Sequence, residues 1–456
     1  MSTGSTRAIC QSERMKNAPL SSIRNIIAYS DKLEQEGRSI IHLELGEPDF
    51  GTPAHIIDAC KKALDNQEVH YGPIAGTVEL RKALSRHCTR YGLEYAPEEI
   101  LVSTGVVHGV FLSMLAYLDP GDEILVPDPG YLIYFADPHI AQAKPVSYPL
   151  REENGFQLDA ETLEALITPR TKAILICSPA NPCGSVLDQA SLDTVAELAI
   201  RHNLLVLSDE IYADMTYDRP MPPSIASLPG MRERTIVLNG FSKYYAMTGW
   251  RIGYMLCPVK LMDPIMRLSF YNIACPTTFI QSAGIAALEG DEGPSKAMLA
   301  EYRRRRDFMV EALNAMPGCR CRKPDGAFYI FVNIDGTGMD SDGFCRTMID
   351  EAGVSMTPGH VFGTMGDGFV RVSYANSMEN LQRSVILMRE VLGKEGGAMS
   401  RFDKKLAAGE GVVGTFSHLG GPAVAECLSL SGLDYVIIDT EHGPFPDEST
   451  GEMIRP

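Results

Sequence analysis

Several things are scarce in this 456-residue chain, and each scarcity removes a class of protein. Its 11 cysteines are scattered, with no C-x-x-C pair, and Cys319 and Cys321 are separated by a single residue. That spacing suits no disulfide scaffold, zinc knuckle or redox pair. Basic charge is in deficit: 41 Lys and Arg stand against 58 Asp and Glu, for a net charge of −17. Nucleic acid and anionic membrane are therefore poor partners, because both call for a concentrated basic surface. The one basic run, RRRR at 303–306, lies in a helical pattern beside Glu301 and Asp307 and reads as a solvated helix face. No apolar run approaches the roughly 18 residues of a membrane span, and no charged-then-apolar leader opens the chain. A reducing cytoplasm and no membrane association are expected. Only a short polar arm precedes the first helical pattern, which argues against a regulator with a DNA-binding helix-turn-helix there.

What is present is ample core. Hydrophobic residues make up 45% and charged residues 22%, as in a soluble globular protein, and the length predicts more than one domain. From residue 100 onward, nearly continuous apolar strands alternate with amphipathic helices: ILVSTG, EILVPD, KPVSYPL, KAILIC, LLVLSDEIY and TIVLNG are the strands. That alternation describes a mostly parallel sheet covered on both faces, which places ligands at the carboxyl ends of its strands. Residues 46–289 are expected to form this large α/β domain. Residues 15–45 together with 290–393 are expected to form a smaller α+β domain closing with the helix 378–393. Residues 1–14 read as a loose arm and the Gly-containing 394–400 (KEGGAMS) as a linker. Residues 401–456 show a β-α-β start too short to bury a sizeable core.

The strand ends carry the chemistry. Asn181, Asp209, Tyr212, Lys243 and Arg251 fall there, with Tyr131 earlier and Arg371 in the second half. Singly, each has an ordinary role: Asn181 before Pro182 turns the chain, Asp209 could cap a helix, the tyrosines could edge the core, and Lys243 could be a solvated loop charge. Jointly they match the needs of pyridoxal phosphate. Its ring nitrogen requires a buried carboxylate (Asp209), and its phenolic oxygen requires donors (Asn181, Tyr212). Its ring takes an aromatic face (Tyr131), and its aldehyde takes a lysine amine of lowered pKa (Lys243). Its phosphate suits the helix N-terminus at STG (103–105) together with Arg251, and a substrate carboxylate suits the guanidinium of Arg371.

SPANPCG, SDEIY, SKYYAMTGWRIGY and FVRVSYANSMENL, in this order and spacing, resemble the class I and II aminotransferases, pyridoxal-phosphate enzymes of fold type I, over residues 15–393. The resemblance implies that Lys243 forms the Schiff base with the cofactor and that Asp209 holds the pyridine nitrogen. It implies that Asn181 and Tyr212 bind the ring oxygen, that Tyr131 stacks on the ring, and that Arg371 takes the substrate carboxylate. Gly105, Val106, Val107, Ser242 and Arg251 match the phosphate-binding positions, and Gly46 matches a glycine lining the substrate side. Tyr71 of HYGPIAG matches a tyrosine given to the neighbouring subunit's phosphate, which implies a homodimer.

The sequence departs from the family pattern at three places. Cys183 stands where Thr is usual, and Gly240 stands where a hydroxyl residue often helps hold phosphate. Val107 stands where aspartate-using members carry a lysine for the distal carboxylate. The last departure predicts a neutral or aromatic amino donor rather than aspartate, transferring to a 2-oxo acid such as 2-oxoglutarate in ping-pong fashion. Aspartate transamination and carbon–sulfur β-elimination are the alternatives, since they use nearly the same residues. Separately, GTFSHLGGPAVAE and VIIDTEHGPF resemble the opening of the HpcH/HpaI aldolase family, which would place His442 in an active site whose remaining residues are not in this chain.

Overall fold

The structure, a computed structural model, describes residues 10–17, 23–218, 220, 223–396, 414–417 and 435–438. It divides into two compact units, the first ending at Met388 and the second starting at Arg389.

The first unit is built on a seven-stranded sheet. Its strands are β2 (Ile100–Ser103), β3 (Glu123–Asp128), β4 (Lys144–Pro149), β5 (Thr171–Cys177), β6 (Leu205–Asp209), β7 (Thr235–Gly240) and β8 (Gly253–Leu256), with a short β1 (Ile41–His42) lying outside the sheet. The order across the sheet is β2-β8-β7-β6-β5-β3-β4. Every pairing is parallel except those of β8, which runs antiparallel to both β2 and β7. The strands bury both faces. Ile124, Val126, Leu175, Leu207 and Leu238 pack with Val110, Met114 and Met262 from helices Val106–Tyr117 and Val259–Ile273. Leu125, Ile174, Ile176 and Val206 pack with Leu163, Leu192 and Val195 from helices Ala160–Leu166 and Gln189–Arg201. Side chains alternate across the pleat, so neighbours such as Leu125 and Val126 serve opposite layers. At roughly 1.5–3 kcal/mol per fully buried aliphatic side chain, these two layers supply the main drive for folding.

A second, antiparallel sheet is formed by β9 (Arg320–Cys321), β10 (Tyr329–Asn333), β12 (Thr357–Pro358) and β13 (Phe369–Ser373), in the order β12-β13-β10-β9. Between them, β11 (Val354–Ser355) pairs in parallel with β1, with Ile41 opposite Val354. The N-terminal segment is thus tied to residues more than 300 positions away, among them Ser355, whose hydroxyl bonds that of Ser30 from helix Ile23–Gln35.

The arginine run differs from its reading as a solvated face. Arg303 and Arg304 are exposed, but Arg305 and Arg306 are buried. The Arg306 guanidinium stacks 4.5 Å from the Tyr217 ring, donates to the Pro324 carbonyl and pairs with Asp218 at 2.8 Å. A helix has an inside as well as an outside, and consecutive residues sample both. The closing helix, Met378–Gly396, also runs three residues beyond the expected 393, because Lys394 and Glu395 are good helix formers.

In the second unit, β14 (Gly414–Ser417) and β15 (Tyr435–Ile438) pair in parallel. His442 and residues 397–400 lie outside the described residues.

Candidate active site

A cavity of about 840 Å³ opens at the carboxyl ends of β5, β6 and β7. Its wall includes Gly46, Val106, Val107, Tyr131, Asn181, Asp209, Tyr212, Ser242, Lys243, Arg251 and Arg371. Gly105 adjoins it through Arg251. Tyr71 does not line the cavity and is 90% exposed.

Lys243 follows β7 by three residues. Its Nζ donates to the Gly46 carbonyl and lies 5.7 Å from the centre of the Tyr212 ring and 5.6 Å from that of Phe328. Burial, reinforced by the Arg371 and Arg251 cations, pulls the amine from 10.5 down to about 8, while Glu47 and Asp209 oppose that fall. An amine so placed is partly neutral near physiological pH, as a nucleophile or base requires.

Asp209 closes β6. Its carboxylate accepts from the Tyr134 hydroxyl at 2.7 Å and from the Ile211 N–H at 3.1 Å. Burial raises it to about 6, and those two donors hold it from rising further. Across the cavity, the Tyr212 and Tyr329 hydroxyls lie 2.8 Å apart. Tyr131 stands edge-on to Tyr134 with ring centres 5.8 Å apart.

Arg371 lies on β13, opposite Phe331 and Thr357 in register. It is buried between the rings of Tyr329 and Phe362, at 4.4 and 4.9 Å. Its Nη1 donates to Asn181 Oδ1 at 2.9 Å and its Nη2 to the Glu44 carbonyl at 2.6 Å, whereas its buried Nε has no partner among the described residues. A planar guanidinium braced on both faces, with donor capacity in hand, is prepared to receive a carboxylate.

At the other end of the cavity, Gly105 has φ +86° and begins the helix Val106–Tyr117. A Cβ at Gly105 would lie 2.8 Å from Arg251 Nη2. Glycine here lets a guanidinium approach a helix N-terminus, which makes a cradle for an anion. Gly240 also has a structural reason. It pairs with Gly253 across β7 and β8, and a Cβ at 240 would come 3.0 Å from the Gly253 Cα. A side chain there requires Gly253 to give by a few tenths of an ångström.

Sequence reasoning passed over Tyr134 and Tyr329, which contact the key groups, and also Glu47, which accepts from Thr248 at 3.0 Å. One signal was available: Tyr134 follows Tyr131 by three residues, one helical turn.

Comparison with known proteins is consistent with this geometry. The family model described as aminotransferase class I and II matches residues 38–385. Aromatic-amino-acid aminotransferase 2 of Thermococcus litoralis is 40% identical over 385 residues, covering 84% of this chain and 98% of that protein. Aspartate aminotransferase of Pyrococcus abyssi is 43% identical over 360 residues, covering 78% and 92%. Among solved structures, the aspartate aminotransferase from Rhizobium meliloti superposes with a TM-score of 0.82 at 36% identity, covering 85% of this chain and 100% of that one.

Proposed function

The chain belongs to the class I and II aminotransferases, and on that footing we propose that it moves the amino group of a neutral or aromatic L-amino acid, in preference to aspartate, to a 2-oxo acid such as 2-oxoglutarate. The family works with pyridoxal phosphate, which when bound supplies an electron sink that acidifies the α-carbon of the amino acid joined to it. The donor set suits that group. Asp209 offers a buried carboxylate for the ring nitrogen, Asn181 and Tyr212 offer polar contacts for the ring oxygen, and Tyr131 offers an aromatic face. Gly105, Val106, Val107, Ser242 and Arg251 would hold the phosphate, where the cationic side chain and the helix N-terminus converge.

The residues then divide the work. Arg371 grips the substrate carboxylate and so orients the α-carbon. Lys243 Nζ, partly neutral near pH 8, takes the α-proton onto its own nitrogen and holds it as an ammonium proton. Tyr329 and Phe362 keep the guanidinium flat and dry. The observation that carries this reading is the convergence of a depressed lysine amine, a buried carboxylate and a braced arginine on one cavity.

The substrate preference rests on the wall. Ile27, Leu45, Val107 and Leu132 line it, and the only cations among the lining residues are Lys243, Arg251 and Arg371. All three already have roles, so among the described lining residues of this chain a distal carboxylate finds no free cation, whereas an apolar side chain finds apolar neighbours. We place Tyr71 at the phosphate of the partner subunit in a homodimer, which accounts for a tyrosine that is 90% exposed in the single chain. A panel of amino donors, each mixed with the enzyme while cofactor absorbance is followed, tests the preference. Phenylalanine and leucine ahead of aspartate support it; aspartate far ahead overturns it.

A further inference from the structure

The turn Gly46–Phe50 is anchored at both ends. Toward the lysine loop, Thr248 donates to Glu47 at 3.0 Å, Thr52 donates to the Ala246 carbonyl at 2.6 Å, and the Trp250 indole donates to Thr52 at 3.0 Å. Toward the helix Gly293–Asn314, Asp49 meets two side chains one turn apart. Arg305 Nη1 reaches both Asp49 oxygens, at 2.9 and 2.8 Å, and its Nε is held by Glu301 at 2.8 Å. The Tyr302 hydroxyl donates to Asp49 Oδ1 at 3.0 Å and accepts the Asp49 N–H at 3.3 Å. Phe50 closes the set, edge-on to Tyr302 at 5.5 Å with the Arg305 guanidinium 5.1 Å from its ring.

Arg305 is buried but Asp49 is partly exposed, and a solvent-reached ion pair of this kind adds little stability. It does impose geometry, because a guanidinium and a carboxylate meet in few orientations. What this turn presents to the cavity is the Gly46 carbonyl, the acceptor of the Lys243 amine. The Tyr302 ring also lies 5.6 Å from Phe328, the ring that Lys243 Nζ overlies.

We propose that Asp49, Arg305 and Tyr302 are positioning residues for Lys243, fixing the turn so that the Gly46 carbonyl holds the amine in place. The inference rests on the reading of Lys243 as the reacting amine. The other charges facing that amine are Arg371, Arg251, Glu47 and Asp209, and none of them touches Asp49 or Arg305.

The test uses full-length protein. In its cofactor-free form, the lysines are labelled with an amine-directed anhydride between about pH 6 and pH 10, and Lys243 is followed by mass spectrometry. In the loaded form, kcat and KM are measured. A carbonyl acceptor favours the charged ammonium, so Asp49→Asn should lower the Lys243 labelling midpoint by about half a pH unit or more. It should also lower kcat by on the order of tenfold with KM little changed. Tyr302→Phe should move both in the same direction by less, and Arg303→Gln, on the exposed side of the helix, should move neither. Folded Asp49→Asn with the wild-type midpoint and kcat overturns the proposal, as does a fall in melting temperature alone. If Asp49→Asn does not accumulate, Tyr302→Phe decides by the same readings. A wild-type Lys243 that labels like an ordinary lysine defeats the functional reading itself, whatever the variants do.

Discussion

The Tyr134 hydroxyl donates to Asp209 across 2.7 Å, joining the helix after β3 to the end of β6 in the wall of the cavity. This bond stabilises the ionised carboxylate against burial, which otherwise raises it. Wild-type protein should therefore lose cofactor affinity as pH falls through about 6, where Asp209 gains its proton. In Tyr134→Phe that midpoint should rise by roughly one pH unit. Titrating cofactor into the cofactor-free protein at a series of pH values measures both, and an unmoved midpoint contradicts the role.

Lys243 should make the cofactor-free protein less stable than it could be. Its folded value of about 8 lies below the ordinary 10.5, so below pH 8 the fold carries a charge it disfavours. The penalty is complete there, shrinks as pH rises from about 8 to 10.5, and is absent above. Lys243→Met should thus be more stable at pH 7 by on the order of 3 kcal/mol, with the gain gone near the top of that window. Urea unfolding of both proteins at the two pH values decides it.

Gly105→Ala combines two faults. Its φ of +86° strains any side chain, and the added Cβ would lie 2.8 Å from Arg251 Nη2. Displacing that guanidinium should weaken cofactor binding by about tenfold or more, beyond a stability loss of roughly 1 kcal/mol. A fluorescence titration that finds wild-type affinity removes Arg251 from the phosphate site.

Val107 is 39% exposed and faces the cavity at the helix start. Val107→Lys should raise kcat/KM for aspartate by on the order of tenfold, the value of one charge-assisted hydrogen bond, and lower it for phenylalanine. Unchanged ratios would remove this position from the determinants of specificity.

The strand ends were legible because apolar runs and Gly, Pro and Asp punctuation mark them directly, and Asp209 and Lys243 fall where β6 and β7 stop. β8 was not read as an element, since GYML is short and lies inside a motif read for its lysine and arginine. Arg305 was misread for a different reason. One partner, Glu301, lies within the same helix, but Asp49 is 256 positions away, and a local window does not register a partner that distant. Tyr134 and Tyr329 were invisible in the same sense: a tyrosine between apolar neighbours looks like core until its hydroxyl has an address.

The Gly240–Gly253 contact limits how this site can change. The backbone of Gly253 also presses on Gly105, since a Cβ at 253 would come 2.8 Å from the Gly105 carbonyl carbon. Three glycines from separate segments thus form a stack of bare backbone beneath the phosphate cradle. A side chain at 240 would press on Gly253 of β8, and any shift of β8 would be passed on to the backbone of Gly105. A change at any one of the three positions is therefore felt at the other two, and their effects on the fold are not additive.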